Sequence, residues 1–299
     1  MSGMTKRERV QAAIAFEAVD RVPIGLWPHF TPVDQDVDRL VETHYQFYSD
    51  MDMDFVKLMP YGLACIEDYG PKIKKFNLPD QWAVVEEPFI QCPSDWEKIR
   101  PLDVTKGTYG KLLSYAKGMM DRMRAEGDEA PVIHTVFSPL TTLYKLVGWD
   151  CLREALSVAP VMVHTALRTI TETTAAYVEA NLRLGVDGFF FASQLANYKF
   201  MDDAGYDQFG EQYDRQVFEA MSGGWFNVAH IHSFTQEVEK SMFSRLAAYP
   251  AQCINWHDRW VGPGLSEARK LTDKCLIGGI NEEQYLNRVP YRELYDHVR

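Results

Sequence analysis

Short runs of β-branched, aromatic and aliphatic residues recur along the chain. They are RVPIGLW (21–27), DFVKLMP (54–60), PVIHTVF (131–137), VDGFFFA (186–192), WFNVAHIH (225–232), QCINWH (252–257) and CLIGGI (275–280). Most are apolar on both faces, as parallel strands covered on both sides must be. Helical periodicity fills the intervals. DCLREALSVAPVMVHTALRTITETTAAYVEANLRLG is long enough for two helices broken near Pro160, and it stops at Gly185, a common helix terminator. DDAGYDQFGEQYDRQVFEAM and LSEARKLTD supply further helices. Strand–helix alternation of this kind gives right-handed βαβ units and an α/β fold. Seven units in 299 residues fit a TIM-type (β/α)8 barrel. The last strand is missing from the count, because only NEEQYLNRVPYRELYDHVR, a turn and a helix, follows CLIGGI. The expectation is a chain truncated before that strand, or a barrel that closes in an unusual way.

Residues 71–130 read as an insertion holding a hairpin in WAVVEEPFI and an amphipathic helix in KLLSYAKGMMDRMRAE. With no linker, repeat or low-complexity tract, residues 1–299 read as one domain. A hydrophobic fraction of 46% against 24% charged residues is a globular balance. No apolar run reaches the length of a membrane span, and MSGMTKRERVQAAIAF lacks the apolar core and cleavage site of a signal peptide. Five cysteines without CxxC spacing fit a reducing compartment, so the expected location is the cytoplasm. A net charge of −11 excludes nucleic acid as the main partner and disfavours a polyanionic substrate unless a local basic cluster compensates.

Barrel chemistry sits where strands end. Those ends carry His29, Tyr61, Ser138, Gln194, His230 with His232, and Asn255 with His257, Asp258 and Arg259. His230 and His232 lie two apart and so share a strand face, which makes them candidate zinc ligands. Cys253, His257 or Cys275 could complete the set. Cys253 and His257 are four residues apart, about 13 Å along a strand, so only one can be level with the pair, and His257 is better placed. Equally, both histidines could be hydrogen-bonded without a metal. His257 and Asp258 offer acid–base chemistry, or a salt-bridged loop with Arg259. His29 reads as catalytic or as a packed turn residue, and His134, in mid-strand, as a core histidine. Gly278–Gly279 permits close backbone approach. Neither GxGxxG nor GxxxxGK[ST] occurs.

The opening MTKRERVQAAIAFEAVDRVPIGLW, then GVDGFFFASQ, WFNVAHIH and INWHDRWVGPGLSEARKL followed by GGI, resembles the uroporphyrinogen decarboxylase superfamily over essentially the whole chain. That resemblance implies a (β/α)8 barrel, often a homodimer. It also separates two chemistries. True decarboxylases grip their polycarboxylate substrate with an arginine-rich stretch after the first strand; here it reads GLWPHFTPVDQDVD, with no arginine before Arg39. Their aspartate after the second strand is replaced in KLMPYG, and their tyrosine at the third junction is matched only loosely by Tyr144 or Lys145.

The other branch resembles the corrinoid-dependent methyltransferases, which bind zinc through a His-x-Cys pair after the fifth strand and a later cysteine. The match places His230 on their histidine and His232 on their first cysteine. Imidazole in place of thiolate makes zinc a stronger Lewis acid, suited to a methyl ether. The resemblance thus implies a methyltransferase that passes a methyl group from a small methylated compound to a corrinoid protein. Zinc would be held by His230 and His232, with catalysis by His257, Asp258, His29 and Tyr61. Substrate would be bound by Trp27, Gln194, Asn255 and Arg259, in a mouth also lined by Phe30, Trp256 and Trp260. The alternatives are a decarboxylase acting on a tetrapyrrole, which would gain from Arg183, Arg259 and Arg288 converging on the mouth, and a non-catalytic ligand-binding member.

Overall fold

The computed structural model describes residues 3–76, 78, 81–234, 241–281, 284 and 288–298. Among the described residues there are eight strands: β1 (Val56–Leu58), β2 (Lys72–Lys74), β3 (Val84–Glu87), β4 (Val132–Phe137), β5 (Gly188–Ser193), β6 (Val228–Ile231), β7 (Cys253–Trp256) and β8 (Cys275–Ile277). Six form one parallel sheet in the order β1-β4-β5-β6-β7-β8, the wall of a TIM-type α/β barrel that is not closed among the described residues. The strands expected at 54–60, 131–137, 186–192, 225–232, 252–257 and 275–280 are therefore all in the sheet. No helix among the described residues is long and apolar enough to cross a membrane.

The stretch 21–27 departs from expectation: it runs extended but is not a sheet strand. Pro23 has no N–H to give a ladder. The Ile24 N–H donates to the Asp54 carboxylate at 2.7 Å, and the Leu26 N–H meets the Met53 sulfur. Side chains hold this segment together with one backbone bond, the Asp54 N–H donating to the Ile24 carbonyl at 2.8 Å. Asp54, fully buried, also takes Arg9 Nη1 at 2.6 Å and Arg21 Nη1 at 2.5 Å, while Arg9 grips Asp20. The insertion differs too. Residues 84–87 pair antiparallel with 72–74 rather than folding back within 82–90, and Pro88 immediately follows the strand. The helical pair near Pro160 is as the pattern reads, Trp149–Val158 and then Pro160–Leu184, with Gly185 left-handed at φ 95°.

Register assigns the faces. Lys57 pairs with Ile133, Thr135 with Phe190, Phe137 with Ala192, Ala192 with His230, His230 with Asn255 and Asn255 with Ile277. These residues face the barrel interior, whose floor is a small apolar cluster of Val10, Phe55, Ile133, Phe190, Ala192, Phe226, Val228 and Cys253. The alternate residues meet the helices in the larger core. Gly188 is required at its position, since a Cβ there would lie 2.1 Å from the Phe226 carbonyl oxygen.

Candidate metal and ligand site

His230 is the third residue of β6, and its N–H and carbonyl are committed to a parallel ladder on both sides, which leaves the imidazole fixed against the interior. His232 continues the strand, its N–H donating to the Ser193 carbonyl at 2.9 Å. His257 follows β7 immediately and begins a tight turn in which its carbonyl accepts from Trp260 and Val261. The ladder thus brings three rings together. One ring nitrogen from each of His230, His232 and His257 lies within 4.8 Å of the other two. His257 Nε2 and His232 Nδ1 are 3.4 Å apart.

Asn255 orients the cluster. Its amide NH2 donates to the Ile277 carbonyl at 2.8 Å, so its Oδ1 is the free acceptor and takes a hydrogen bond from His230 Nδ1 at 2.7 Å. The His230 proton is thereby placed on Nδ1, leaving a lone pair on Nε2, the arrangement that a metal-binding histidine requires. Burial lowers His230 well below the ordinary imidazole value, and His257, His232 and Lys57 push it further. Burial, then His257, Lys145 and His29, bring His232 down to about 3. His29 falls to about 4 through burial, with Lys57 and Lys145 adding to it. Neutral imidazoles at physiological pH follow, which is the ligating form.

The other expected site residues divide. Trp27 packs on Phe190, ring centroids 5.4 Å apart, and Phe190 lies 4.6 Å from the His230 ring. Trp260 covers His257 at 4.4 Å. Gln194 gives its N–H to Thr141, and its side-chain Oε1 is buried without a partner among the described residues. His29 stands edge-on to Trp82. Asp258 accepts the Gly279 N–H at 2.9 Å and lies 3.4 Å from Arg259 Nε, so both it and Arg259 brace the rim at the Gly278–Gly279 turn. Tyr61 gives its hydroxyl to Glu67. Ser138 caps the following helix. Trp256 does not reach the mouth: it faces outward, donating to the Pro263 carbonyl and packing on Phe243. Phe30 packs on His44 and Phe47 instead. Neither Cys253 nor Cys275 can complete a site with the histidines. They pair with each other at the strand starts, one inward-facing layer below His230. Arg183 lies beside Glu179 on the outer helix Pro160–Leu184 and Arg259 beside Asp258, so these two arginines do not come together.

Two site residues had a signal in the sequence that pattern reading passed over. Lys57 is a cation in the middle of an apolar strand, 2% exposed, and Lys145 ends an apolar helical turn. Burial alone drives the Lys57 ammonium well down, and burial also lowers Lys145.

A sequence profile for uroporphyrinogen decarboxylase (URO-D) matches residues 5–299. The chain belongs to the uroporphyrinogen decarboxylase family. A uroporphyrinogen decarboxylase from Christiangramia forsetii is 30% identical over 100 residues, a stretch covering 31% of this chain and 29% of that protein. The chain is thus matched to well under a third of that relative's length. Among solved structures, a methyltransferase from Methanosarcina mazei shares the fold, with a TM-score of 0.76 at 16% identity, over 93% of this chain and 83% of that one. The uroporphyrinogen decarboxylase family fold thus extends along essentially the whole chain.

Proposed function

We propose that this member of the family is a methyltransferase that moves a methyl group from a small methylated compound, such as a methyl ether, to a corrinoid carried on a partner protein. A zinc ion held by His230, His232 and His257 belongs to that reading. The observation that carries it is the triad of ring nitrogens within 4.8 Å, one of them oriented by Asn255. Three imidazoles without a carboxylate suit zinc better than the oxygen-seeking magnesium or calcium. The resemblance to corrinoid-dependent methyltransferases, which matches His230 and His232 to their zinc-binding His-x-Cys pair, supports the same reading, and the Methanosarcina neighbour is named a methyltransferase.

When bound, zinc at neutral ligands supplies Lewis acidity toward an ether oxygen. The chain's own groups do the rest. Asn255 keeps the His230 proton on Nδ1 and holds the ring still. Phe190 and Trp260 flank the triad and keep water from it, and Trp27 extends that wall. Asp258 fixes the Gly278–Gly279 turn at the edge of the mouth. His29, neutral near pH 7, would offer its ring N–H to the departing oxygen, which keeps the electron pair of the broken bond as the methyl passes to the corrinoid. Decarboxylation is not proposed, because Arg183 lies on the outer helix with Glu179 and Arg259 beside Asp258, and the two do not form a clamp.

The test is elemental analysis of the purified protein beside folded His230→Ala and His232→Ala variants, followed by methyl ethers and amines offered with a corrinoid acceptor. About one zinc per chain, lost in both variants, with methylated corrinoid appearing only in the parent, is the expected result. A protein that takes up no zinc from excess would overturn the mechanism.

A further inference from the structure

The three histidines have a one-sided electrostatic setting. The charges acting on His230 come from His257, His232 and Lys57, and those on His232 come from His257, Lys145 and His29. Those acting on His29 are Lys57 and Lys145. No carboxylate figures in any of these sets. In a chain whose net charge is −11, the interior of the mouth is locally basic.

The geometry of the two lysines explains it. Lys57 rises from β1 into the interior, its Nζ 4.2 Å from the centre of the Phe190 ring and 5.3 Å from Trp27. Its one hydrogen bond among the described residues goes to the Met59 sulfur at 2.9 Å, a weak acceptor. Lys145 lies in the last turn of the helix Pro139–Val147 with its Nζ 4.9 Å from the Phe137 ring. Phe137 borders Ala192, the register neighbour of His230, and Phe190 packs on the His230 ring. Neither lysine forms an ion pair among the described residues. Burying an ammonium with only a thioether and aromatic faces is costly. Burial therefore favours the neutral amines, and a carboxylate placed beside them restores the ammonium form and accepts the hydrogen bonds that the protein does not.

We propose that the site takes a small molecule bearing a carboxylate, whose charge is met by Lys57 and Lys145 beside the histidine triad. The inference takes the histidine cluster as the place where the substrate of the proposed methyl transfer sits, and so rests on that reading for its location. The aromatic walls fit an aryl or short aliphatic body, with the carboxylate directed to the lysines and the remainder toward His230. Two point charges do not form the guanidinium clamp of a polycarboxylate site, so a single anionic group is the better match.

Calorimetric titration of zinc-stripped protein with benzoate and with its neutral isostere benzamide separates charge from shape. Benzoate is expected to bind at least tenfold more tightly, and the preference to disappear in Lys57→Met or Lys145→Met, each a near-isosteric change suited to an apolar pocket. Loss in one variant alone assigns the carboxylate to that lysine. Equal affinities for the two probes, no binding of benzoate at millimolar concentration, or a preference that survives in both folded variants would overturn the inference. Zinc content is measured separately. A protein without zinc that still prefers benzoate fails the methyl-transfer reading and keeps this one, and the reverse result does the opposite.

Discussion

Two histidines in this molecule are held by the same device and differ in what the second ring nitrogen meets. On the outer face of β4, His134 Nδ1 donates to Asn181 Oδ1 at 2.8 Å, and the Asn181 amide is spent on the Tyr177 carbonyl. On the inner face of β6, His230 Nδ1 donates to Asn255, whose amide is spent on Ile277. The remaining nitrogen of His134 lies 3.2 Å from the Tyr177 hydroxyl. That of His230 has two more imidazoles for company. An asparagine that fixes a tautomer is therefore not itself a sign of function. What surrounds the freed lone pair decides between a sealed core and a site.

The sharpest separation between the two regions is metal affinity. His232→Ala should weaken zinc binding by about a thousandfold, equivalent to roughly 4 kcal/mol, while His134→Ala leaves it unchanged; a competition titration with a chromogenic chelator reads both. The order should invert for stability. His134→Ala opens a cavity and strands Asn181 and Tyr177, costing about 3 kcal/mol in urea unfolding, whereas His232→Ala in zinc-free protein costs under about 1 kcal/mol. If the two variants lose equal stability, the rim is as much a structural core as the outer layer and the contrast fails. Asn255→Ala should lower zinc affinity by roughly ten- to a hundredfold, about 2 kcal/mol, with Asn181→Ala leaving it alone.

A further separation is in pH. Burial holds His134 neutral down to about 4, and His44, beside Tyr115, down to about 3. Each takes its proton near 6.5 once unfolded. Below that value the unfolded chain binds protons that the folded chain does not, so their contribution is complete above about pH 6.5 and is lost as pH falls toward the folded values. The loss is roughly 1 kcal/mol per pH unit for each. A folded variant without His134 should show a correspondingly shallower acid limb in urea midpoints between pH 6.5 and 4.5.

The fold was largely legible because the strand runs are apolar on both faces and the helices carry their own stops at Pro160 and Gly185. Legibility failed at 21–27, where β-like composition was overridden by Pro23 and by a carboxylate from Asp54 that replaces a strand neighbour. Within the site, the two-residue spacing of His230 and His232 and the level of His257 could be read from strand geometry alone. The same alternation puts Trp256 on the face opposite Asn255 and His257, a signal that its aromatic character overrode. The two cysteines looked like ligands by type, and only their pairing at the strand starts removes them. Lys57 was visible as a cation amid apolar neighbours, but its facing required the register with Ile133.

The Asp54 carboxylate has a consequence for how the molecule opens. It is the shared anchor for the helix Lys6–Ile14, for Arg21 and for the backbone at Ile24, so the extended segment is latched mainly by side chains, with one backbone bond from Asp54, where its neighbours are laced by amides. Val22, Ile24 and Leu26 are 75%, 46% and 44% exposed, which leaves little burial to resist detachment. In deuterated water the amides of 22–27 should therefore exchange through a local release that leaves β4 to β7 protected. The whole segment should lift as one unit in Asp54→Asn. One buried carboxylate thus sets the boundary between the part of this barrel that unfolds globally and the part that comes away first.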